Sequence, residues 1–220
     1  GQADRGGPDD DDNWELRREW ERRLGAGNWL GLSWPVEYGG RGATLSQEIL
    51  FAMEYAGAGA PPRAAFHGET LMAPTALHYG TPEQKQRLLP PMARGETVWC
   101  QGYSEPGAGS DLASLATRAE RRQDHYLLNG HKVWTSFAHI ADYCFVLART
   151  DAAAQRHKGI SFLLVDMKLP GVRVEPIRQI TGESDFNEVF FEDVKVPLAA
   201  LVGEAEAWAG LGLHPNTVTC

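Results

Sequence analysis

Cysteine is scarce in this sequence of 220 residues, and long apolar runs are missing. The three cysteines, Cys100, Cys144 and Cys220, lie far apart and form no C-x-x-C pair, which argues against a disulfide framework or a zinc cluster. The longest apolar runs, such as residues 160–165, fall well short of the roughly 20 residues that a membrane helix needs. The first residues also lack the basic start and apolar run of a secretory signal. We therefore expect a globular, cytoplasmic protein with no metal site and no membrane insertion.

Positive charge is also in short supply. The formal net charge is -8, and no basic stripe balances the acidic residues. Because phosphate neutralisation by Lys and Arg supplies most of the affinity for nucleic acid, we expect no nucleic-acid partner. The histidines form no H-E-x-x-H motif, and residues 182–186 lack the second glycine of a nucleophile elbow. Metal-dependent and serine hydrolases are therefore disfavoured.

The first 95 residues show helical periodicity and helix-start signals. Ser, Thr, Asp and Asn favour helix N-termini, and the spacing Thr-x-x-Gln is typical of a capping box. Proline fits the first helical position and ends helices elsewhere. Three helices are predicted: one over 14–24 capped by Asn13, one entered at Thr44 and Gln47 and ended by the glycines from Gly57, and one that begins at 81–84 and stops at Pro90 and Pro91.

The remaining residues show short strand-like runs separated by turn chemistry. Asn129 and Gly130 form a two-residue sequence that is typical of a tight hairpin, because both residues tolerate positive φ. Further runs rich in Val, Phe, Ile and Tyr occur at 142–149, 160–167, 172–176 and 188–196. We expect residues 97–200 to form a mainly antiparallel barrel or sandwich.

Residues 103–111, YSEPGAGSD, follow a predicted strand and are rich in glycine. A dinucleotide-binding fingerprint is disfavoured, because Leu112 stands where the third glycine would be and no β-α-β pattern surrounds the loop. In such a loop, glycine lets backbone amides approach a ligand, and Ser104 and Ser110 add hydroxyls. An ordinary tight turn explains the same residues, so both interpretations stay open.

Four nearby side chains have structural explanations from residue type alone. Trp134 is explained as a packing anchor of the β domain. Glu105 is predicted to shape the loop by accepting hydrogen bonds, and Asp111 is predicted to cap residues 112–115. His131, close to the predicted hairpin turn, is expected to be exposed.

Three strings in fixed order, WCQGYSEPGAGSDLASL, LNGHKVWTS and FNEVFFEDVKVPLAALVGE, resemble the acyl-CoA dehydrogenases. The similarity is strongest to the bacterial branch that degrades steroid side chains and other bulky CoA thioesters, and it spans about residues 14–208. The resemblance implies an α+β architecture: an N-terminal helical domain over 13–95, then an antiparallel β-barrel domain that binds flavin over 96–203. The family's C-terminal helical bundle is expected to be absent, with a divergent tail over 204–220.

The resemblance also implies a flavin site made of two segments. Trp134 would pack on the ring of FAD, and Ser136 would donate a hydrogen bond at flavin N5. Ser110 would in addition lie near the CoA substrate. No catalytic residue is expected in this chain, since the family's basic glutamate lies in the C-terminal bundle. The residues expected to bind the cofactor are Gln101, Tyr103, Ser104, Gly109, Ser110, Trp134, Thr135 and Ser136.

The activity implied is α,β-dehydrogenation of an acyl-CoA thioester in fatty acid or steroid catabolism, with hydride transfer to FAD. Expected partners are an electron-transfer flavoprotein as electron acceptor and further subunits of a homo- or hetero-oligomer. Without the basic glutamate, the chain alone is expected to be inactive. The alternative is a non-catalytic flavin- or CoA-binding scaffold, or a companion subunit that completes a partner's active site.

Overall fold

A computed structural model describes residues 11–154, 156–180, 182 and 184–205. Of the tail predicted over 204–220, residues 206–220 therefore lie outside the described residues. The described residues divide into two compact units, one with residues 11–77 and 82–98 and the other with residues 78–81 and 99–205.

The first half of the described chain is helical. Its core is built from large apolar side chains, and an element of π-helix at Gly68–Met72 leads directly into a following α-helix. The α-helices are α1 (Asp11–Ala26), α2 (Leu45–Gly57), α3 (Ala73–Tyr79) and α4 (Pro82–Ala93). The buried core residues include Trp14, Leu24, Leu30, Trp34, Leu89 and Met92.

Helix α2 begins at the predicted capping box and ends at the predicted glycine. The amide of Thr44 donates to Oε1 of Gln47 at 2.8 Å, which satisfies one of the unpaired groups at the helix start. No residue of α2 is buried, although several of its side chains are large and apolar. The exposed apolar side chains are Leu45, Ile49, Leu50 and Met53.

Two predicted helix ends are wrong. Asn13 lies inside α1, which begins two residues earlier, so it is not the cap of that helix. Helix α4 continues through Pro90 and Pro91 to Ala93. Proline removes an amide hydrogen bond from a helix, but here both prolines lie in the last turn, where Met92 and Ala93 are buried in the core. The burial of these two side chains offsets the missing amide hydrogen bonds.

A buried ion-pair network ties the 63–69 segment to α1. The carboxylate of Glu21 accepts from Nε of Arg63 at 2.9 Å and from the amides of Ala64 and Ala65. Arg63 also pairs with Glu69, whose other oxygen accepts from the Gly31 amide at 2.7 Å. Each buried charge in this network therefore has a partner of opposite sign, as burial requires.

The second half of the described chain forms one eight-stranded sheet, and most of its pairings are antiparallel. The predicted fold class, helices followed by an antiparallel β domain, is confirmed. The sheet order is β6-β7-β3-β2-β4-β5-β8, and β1 pairs with β4 off this path. The strands are β1 (Trp99–Gly102), β2 (Arg118–Arg121), β3 (His125–Ser136), β4 (Tyr143–Arg149), β5 (Ile160–Asp166), β6 (Val172–Ile177), β7 (Phe186–Pro197) and β8 (Leu201–Val202).

Two pairings are parallel, which the turn chemistry does not predict. Cys100 of β1 lies opposite Cys144 of β4, and Arg118 of β2 lies opposite Arg149 at the other end of the same strand. Strand β4 is therefore the centre of the domain, and five consecutive residues of it are buried. The C-terminal end of β1 and the glycine-rich loop that follows it therefore lie near β3.

The predicted hairpin at Asn129 and Gly130 is wrong. Strand β3 runs unbroken through both residues and pairs with β7 on either side of them, with a register shift between Leu128 and Gly130. The side chain of Asn129 accepts from the amide of Asp193 at 2.9 Å and donates to its carboxylate at 3.0 Å. Between these pairs one residue of β3, Asn129, stands opposite two residues of β7, so the β-bulge lies in β7, where Asp193 has φ of 51°. Asn129 caps that bulge from the neighbouring strand.

Candidate functional site

The glycine-rich loop after β1 is closed by a short turn. The amide of Glu105 donates to the carbonyl of Ala108 at 2.8 Å, and the amide of Ala108 donates back to Glu105 at 3.0 Å. Tyr103, at the loop entrance, is buried with its ring edge-on to Phe145 at a centroid distance of 5.8 Å. Burial raises the pKa of the Tyr103 hydroxyl. The loop is thus anchored at Tyr103, and most of the residues that follow Glu105 in the loop lie towards the surface.

Glu105 fixes this loop from inside the domain, as the sequence predicts. Its two carboxylate oxygens accept from the amides of Ala116 at 2.6 Å and Thr117 at 3.0 Å. Its Oε1 also accepts from Nζ of Lys132 at 2.7 Å. Burial alone would raise the pKa of Glu105, but the Lys132 ammonium and the hydrogen bonds lower it below its ordinary value. The carboxylate is therefore ionised and fully engaged.

Lys132 is a site residue that the sequence interpretation misses. Its side chain is fully buried, and Nζ donates to the Tyr103 carbonyl at 3.1 Å in addition to Glu105. Burial lowers the pKa of Lys132, and the Glu105 carboxylate opposes that effect. The signal for it is the strand alternation, because Lys132 has even spacing from Tyr126 and Leu128, which both point into the core.

The end of β3 presents an exposed tryptophan. Trp134 is 57% exposed, so the expectation of an ordinary packing anchor is wrong. Its backbone has φ of 59°, a conformation that costs energy for a bulky residue and is concentrated at functional sites. The indole and the Phe186 ring are nearly perpendicular, at a centroid distance of 6.0 Å. Thr135, the next residue, is fully buried, and Ser136 is half-buried.

The loop and the strand end are joined directly. The amide of Val133 donates to the carbonyl of Ser104 at 2.9 Å, which places Ser104 beside the residue that precedes Trp134. Gly109 and Ser110 lie further along the same loop and are exposed. The eight predicted site residues therefore occupy one β1–loop segment and one β3 segment, and the Val133–Ser104 hydrogen bond connects the two.

The hydroxyl of Thr135 in β3 is buried, and its Oγ1 makes no hydrogen bond among the described residues. The side chain of Gln101 in β1, in contrast, hydrogen-bonds Tyr103, which opposes the rise in the Tyr103 pKa that burial causes. A buried polar group that makes no hydrogen bond is costly, so a native structure normally supplies it with a protein group, water or ligand. Thr135 belongs to the predicted site, and its unpaired hydroxyl lies next to Trp134 in the chain.

The two glycines in the loop are not required by the chain's own packing. A Cβ atom added at Gly107 or Gly109 would meet nothing in the described chain within 4 Å, and neither residue has positive φ. Gly130, in contrast, has no room for a Cβ, because it would lie 2.2 Å from Oγ1 of Thr117. Glycine at 107 and 109 therefore leaves open space beside the loop backbone, as close approach of a ligand requires.

Two other predicted roles are wrong. Asp111 precedes a single 3-10 turn, Leu112–Ser114, and its side chain makes no capping hydrogen bond; its carbonyl instead accepts from the amide and hydroxyl of Ser114. His131 is half-buried, since it contacts Glu188 at 3.1 Å and stacks on Phe190 at a centroid distance of 4.1 Å. It lies in the middle of a strand, so the exposure expected for a turn residue does not apply.

Asn187 is a second residue that the sequence interpretation misses. It is fully buried opposite Thr135, and its Nδ2 donates to the Thr135 carbonyl at 3.0 Å. Its Oδ1 lies 3.2 Å from Nδ1 of His139. The signal for it is a polar residue at a position that shares the inward face of β7 with Val189 and Phe191. Asn187 holds the strand end that follows Trp134.

The described residues contain neither a candidate metal cluster nor a candidate membrane span. Among the residues that the structure describes, no group of three or more His, Cys, Asp or Glu side chains could hold a metal ion. The helices of the described part of the chain are all too short or too polar to cross a membrane.

Two family models match the chain. Residues 8–96 match the N-terminal domain of acyl-CoA dehydrogenases, and residues 100–194 match the middle domain. Acyl-CoA dehydrogenase IpdE1 from Mycobacterium tuberculosis is 50% identical over 199 residues, which cover 90% of this chain and 52% of that protein. Mitochondrial isovaleryl-CoA dehydrogenase from Pongo abelii is 34% identical over 190 residues, covering 84% of this chain and 45% of that protein.

A solved structure has the same fold. The ChsE4-ChsE5 complex from Mycobacterium tuberculosis matches with a TM-score of 0.82 and 42% identity, over 89% of this chain and 50% of the matched chain. A structure described as the Tcur3481-Tcur3483 steroid ACAD matches with a TM-score of 0.84 and 39% identity, over 91% and 52% of the two chains. The present chain thus spans about half the length of the relatives that it matches.

Proposed function

Because the chain belongs to the acyl-CoA dehydrogenase family, we propose that it forms the flavin-facing part of an enzyme that converts acyl-CoA thioesters to their α,β-unsaturated products. One observation supports this most strongly: an exposed, strained Trp134 is joined to the glycine-rich loop through the Val133–Ser104 hydrogen bond. The exposed face of an indole beside hydroxyls and open loop backbone is suited to a flat heteroaromatic ring.

The residues present fit FAD. A flavin ring offers hydrogen-bonding atoms at its edge, and the Thr135 hydroxyl, which makes no hydrogen bond among the described residues, is proposed to pair with one of them. The space beside Gly107 and Gly109 lets the ring approach the loop backbone. Bound FAD supplies the acceptor for the hydride that leaves the β carbon.

Each site residue has a proposed role. Trp134 stacks on the ring, and the hydroxyl of Ser136 donates a hydrogen bond towards its N5 edge. Ser104 and Tyr103 form the loop side of the site, and the exposed Ser110 lies towards the CoA substrate. These contacts orient the flavin ring relative to the substrate, because hydride transfer requires the β carbon to be held against the ring.

The base that removes the α-proton is not assigned to a described residue. Glu105 is the carboxylate of the loop, yet it is buried and already accepts hydrogen bonds from Lys132, Ala116 and Thr117. A general base must lie within hydrogen-bond reach of the proton that it abstracts. We propose that the base comes from residues outside this chain, so that the 220 residues alone do not turn over substrate.

The proposed substrates are CoA thioesters of bulky acyl groups, such as steroid side chains. The proposal draws on the identity to a structure described as a steroid ACAD. One matched structure is described as the ChsE4-ChsE5 complex and another is named for two proteins, Tcur3481 and Tcur3483, which favours a heteromeric assembly for this chain as well. The proposed electron acceptor is an electron-transfer flavoprotein, as for a dehydrogenase of fatty acid or steroid catabolism.

The test starts with titration of FAD into the purified 220-residue chain, followed by gel filtration and a flavin spectrum. Acyl-CoA thioesters of small and large acyl groups are then added with an artificial electron acceptor. We expect weak flavin binding that depends on Trp134 and Ser136, and no turnover. Failure to bind any flavin would contradict the proposed function, and turnover by this chain alone would contradict the assignment of the base.

A second candidate function is a companion subunit that completes the active site of a partner chain. It is favoured by the matched structures that are named for two proteins. In that case turnover appears only when the partner is added, and Trp134→Ala in this chain leaves the turnover of the mixture unchanged. If this chain holds the reacting flavin itself, Trp134→Ala reduces the turnover of the mixture.

A further inference from the structure

Lys132 and Glu105 form an ion pair inside the β domain, and its position needs an explanation. Nζ of Lys132 and Oε1 of Glu105 are 2.7 Å apart, and their side chains are 0% and 6% exposed. A buried ion pair is often no more stable than a well-packed apolar pair, because both charges lose their hydration. Stability alone therefore does not explain why the inner face of β3, which carries Tyr126 and Leu128, also contains a lysine.

The pair lies where the two site segments meet. Lys132 is two residues before Trp134 in β3, and Glu105 follows Ser104 in the loop. Lys132 contacts the loop twice, through Glu105 and through the Tyr103 carbonyl. The neighbouring Val133 amide contacts it a third time, at the Ser104 carbonyl. Three consecutive loop residues are thus held by two consecutive strand residues.

Glu105 extends this connection to a third segment. Its carboxylate also accepts from the amides of Ala116 and Thr117, which lie just before β2. The charge on the carboxylate strengthens each of these hydrogen bonds. A lysine at 132 keeps that carboxylate ionised and aimed inwards, while the Glu105–Ala108 turn directs the glycines outwards.

We propose that the Lys132–Glu105 pair is the positioning element of the proposed flavin site, which fixes the 103–110 loop at the correct distance from Trp134. The inference rests on the proposed function, since it concerns the same site. Both side chains are buried and Glu105 is fully hydrogen-bonded, so the pair acts through the loop and strand that it joins.

The experiment compares three variants in the 220-residue chain: Lys132→Met, Glu105→Gln and the double variant. Each is measured for thermal stability, for flavin affinity by titration with FAD, and for hydrogen exchange of the Val133 and Ala108 amides. We expect both single variants to lose stability, since each leaves one buried group without its ionic partner. The double variant should recover stability, because it has no buried charge left to satisfy.

Flavin affinity is expected to behave differently from stability. In the double variant it should stay about 10-fold or more below that of the unmodified chain, the lower end of what supporting residues contribute at metal sites. The amides of Val133 and Ala108 should exchange faster than in the unmodified chain, since the loop is no longer tied to β3. A matched control is Val196→Ala, a buried position opposite Tyr126, eight residues along β3 from Trp134. It should lose stability without loss of flavin affinity.

Two outcomes would overturn the proposal. One is a double variant whose flavin affinity recovers together with its stability, which shows a purely structural pair. The other is unchanged exchange at Val133 and Ala108 in Lys132→Met, which shows that the loop does not depend on the pair. An unmodified chain that binds no FAD at all would contradict the proposed function instead, and the exchange measurement would still decide whether the pair fixes the loop.

Discussion

At the scale of single residues, the site is defined by side chains whose environment differs from that expected for their type. Trp134 is large and aromatic yet exposed, and Lys132 is charged yet buried. Aromatic residues usually bury most of their surface, and lysine is almost never fully buried unless it is paired. Each exception has a physical reason. We propose that the exposed Trp134 is covered by the flavin ring, and Lys132 has an ionised partner in Glu105.

The exposure of Trp134 leads to a test at this scale. We expect Trp134→Ala to weaken FAD binding by about 2- to 12-fold, which corresponds to roughly 0.5–1.5 kcal/mol for the loss of an aromatic stacking partner. The thermal stability should change little, because the side chain is 57% exposed. Fluorescence titration measures the first quantity and a melting curve the second. Trp134→Phe serves as a control that keeps most of the affinity, and an unchanged FAD affinity in Trp134→Ala would exclude stacking.

The lowered pKa of Glu105 predicts a pH dependence. Because its folded-state pKa lies below the unfolded value, its contribution to stability is fully present above the unfolded value, about 4.3, and is lost as pH falls through the folded value. Glu105→Gln should cost about 3–5 kcal/mol near neutral pH, as expected for a broken buried pair. The difference in unfolding free energy between the two proteins should shrink below about pH 4.3. Denaturant titrations at several pH values measure it.

The control for this prediction is Glu120→Gln. Glu120 lies on β2 with an exposed side chain that pairs with Arg122 at 2.7 Å, so its loss should change stability little at any pH. A constant difference between Glu105→Gln and the unmodified chain from neutral to acidic pH would contradict the assignment.

At the scale of the elements, the sequence predicts what local chemistry determines and fails where tertiary contacts decide. The capping box at Thr44 and Gln47 and the glycine end of α2 are confirmed, since both depend on neighbouring residues alone. The helix stop at Pro90 and the hairpin at Asn129 are wrong, because buried contacts continue α4 and pairing with β7 continues β3. In the same way, the inward position of Lys132 depends on Glu105, a residue 27 positions away.

The close approach of Thr117 to β3 gives a prediction about Gly130. A Cβ atom at this position would lie 2.2 Å from Oγ1 of Thr117, so Gly130→Ala should push the Thr117 segment away from β3. We expect a loss of about 1–3 kcal/mol of unfolding free energy, as for other overpacked positions, measured by denaturant titration. Gly107→Ala is the matched control, since its Cβ would meet nothing within 4 Å in the described chain. If Asn129 and Gly130 instead formed an exposed turn, the two variants would behave alike.

At the scale of the whole molecule, the chain contains two domains of a family whose matched members are about twice as long. The residues proposed to bind flavin contact its ring: Trp134 on one side and the loop from Tyr103 to Ser110 on the other. No residue of the proposed site is assigned to the pyrophosphate or the adenosine of FAD. The 220-residue chain should therefore recognise the ring and little else of the cofactor.

This division of the cofactor gives a test for the 220-residue chain. We expect riboflavin and FAD to bind with affinities within about 10-fold of each other, a difference of less than about 1.4 kcal/mol, because the ring supplies nearly all the contacts. Adenosine diphosphate should not compete with either one. Equilibrium dialysis measures the three ligands, and Ser136→Ala should weaken riboflavin and FAD by the same factor. FAD binding that is far tighter than riboflavin binding, or that is blocked by adenosine diphosphate, would show that these residues also hold the pyrophosphate or the adenine, and the proposed site would then have to extend beyond the loop and the end of β3.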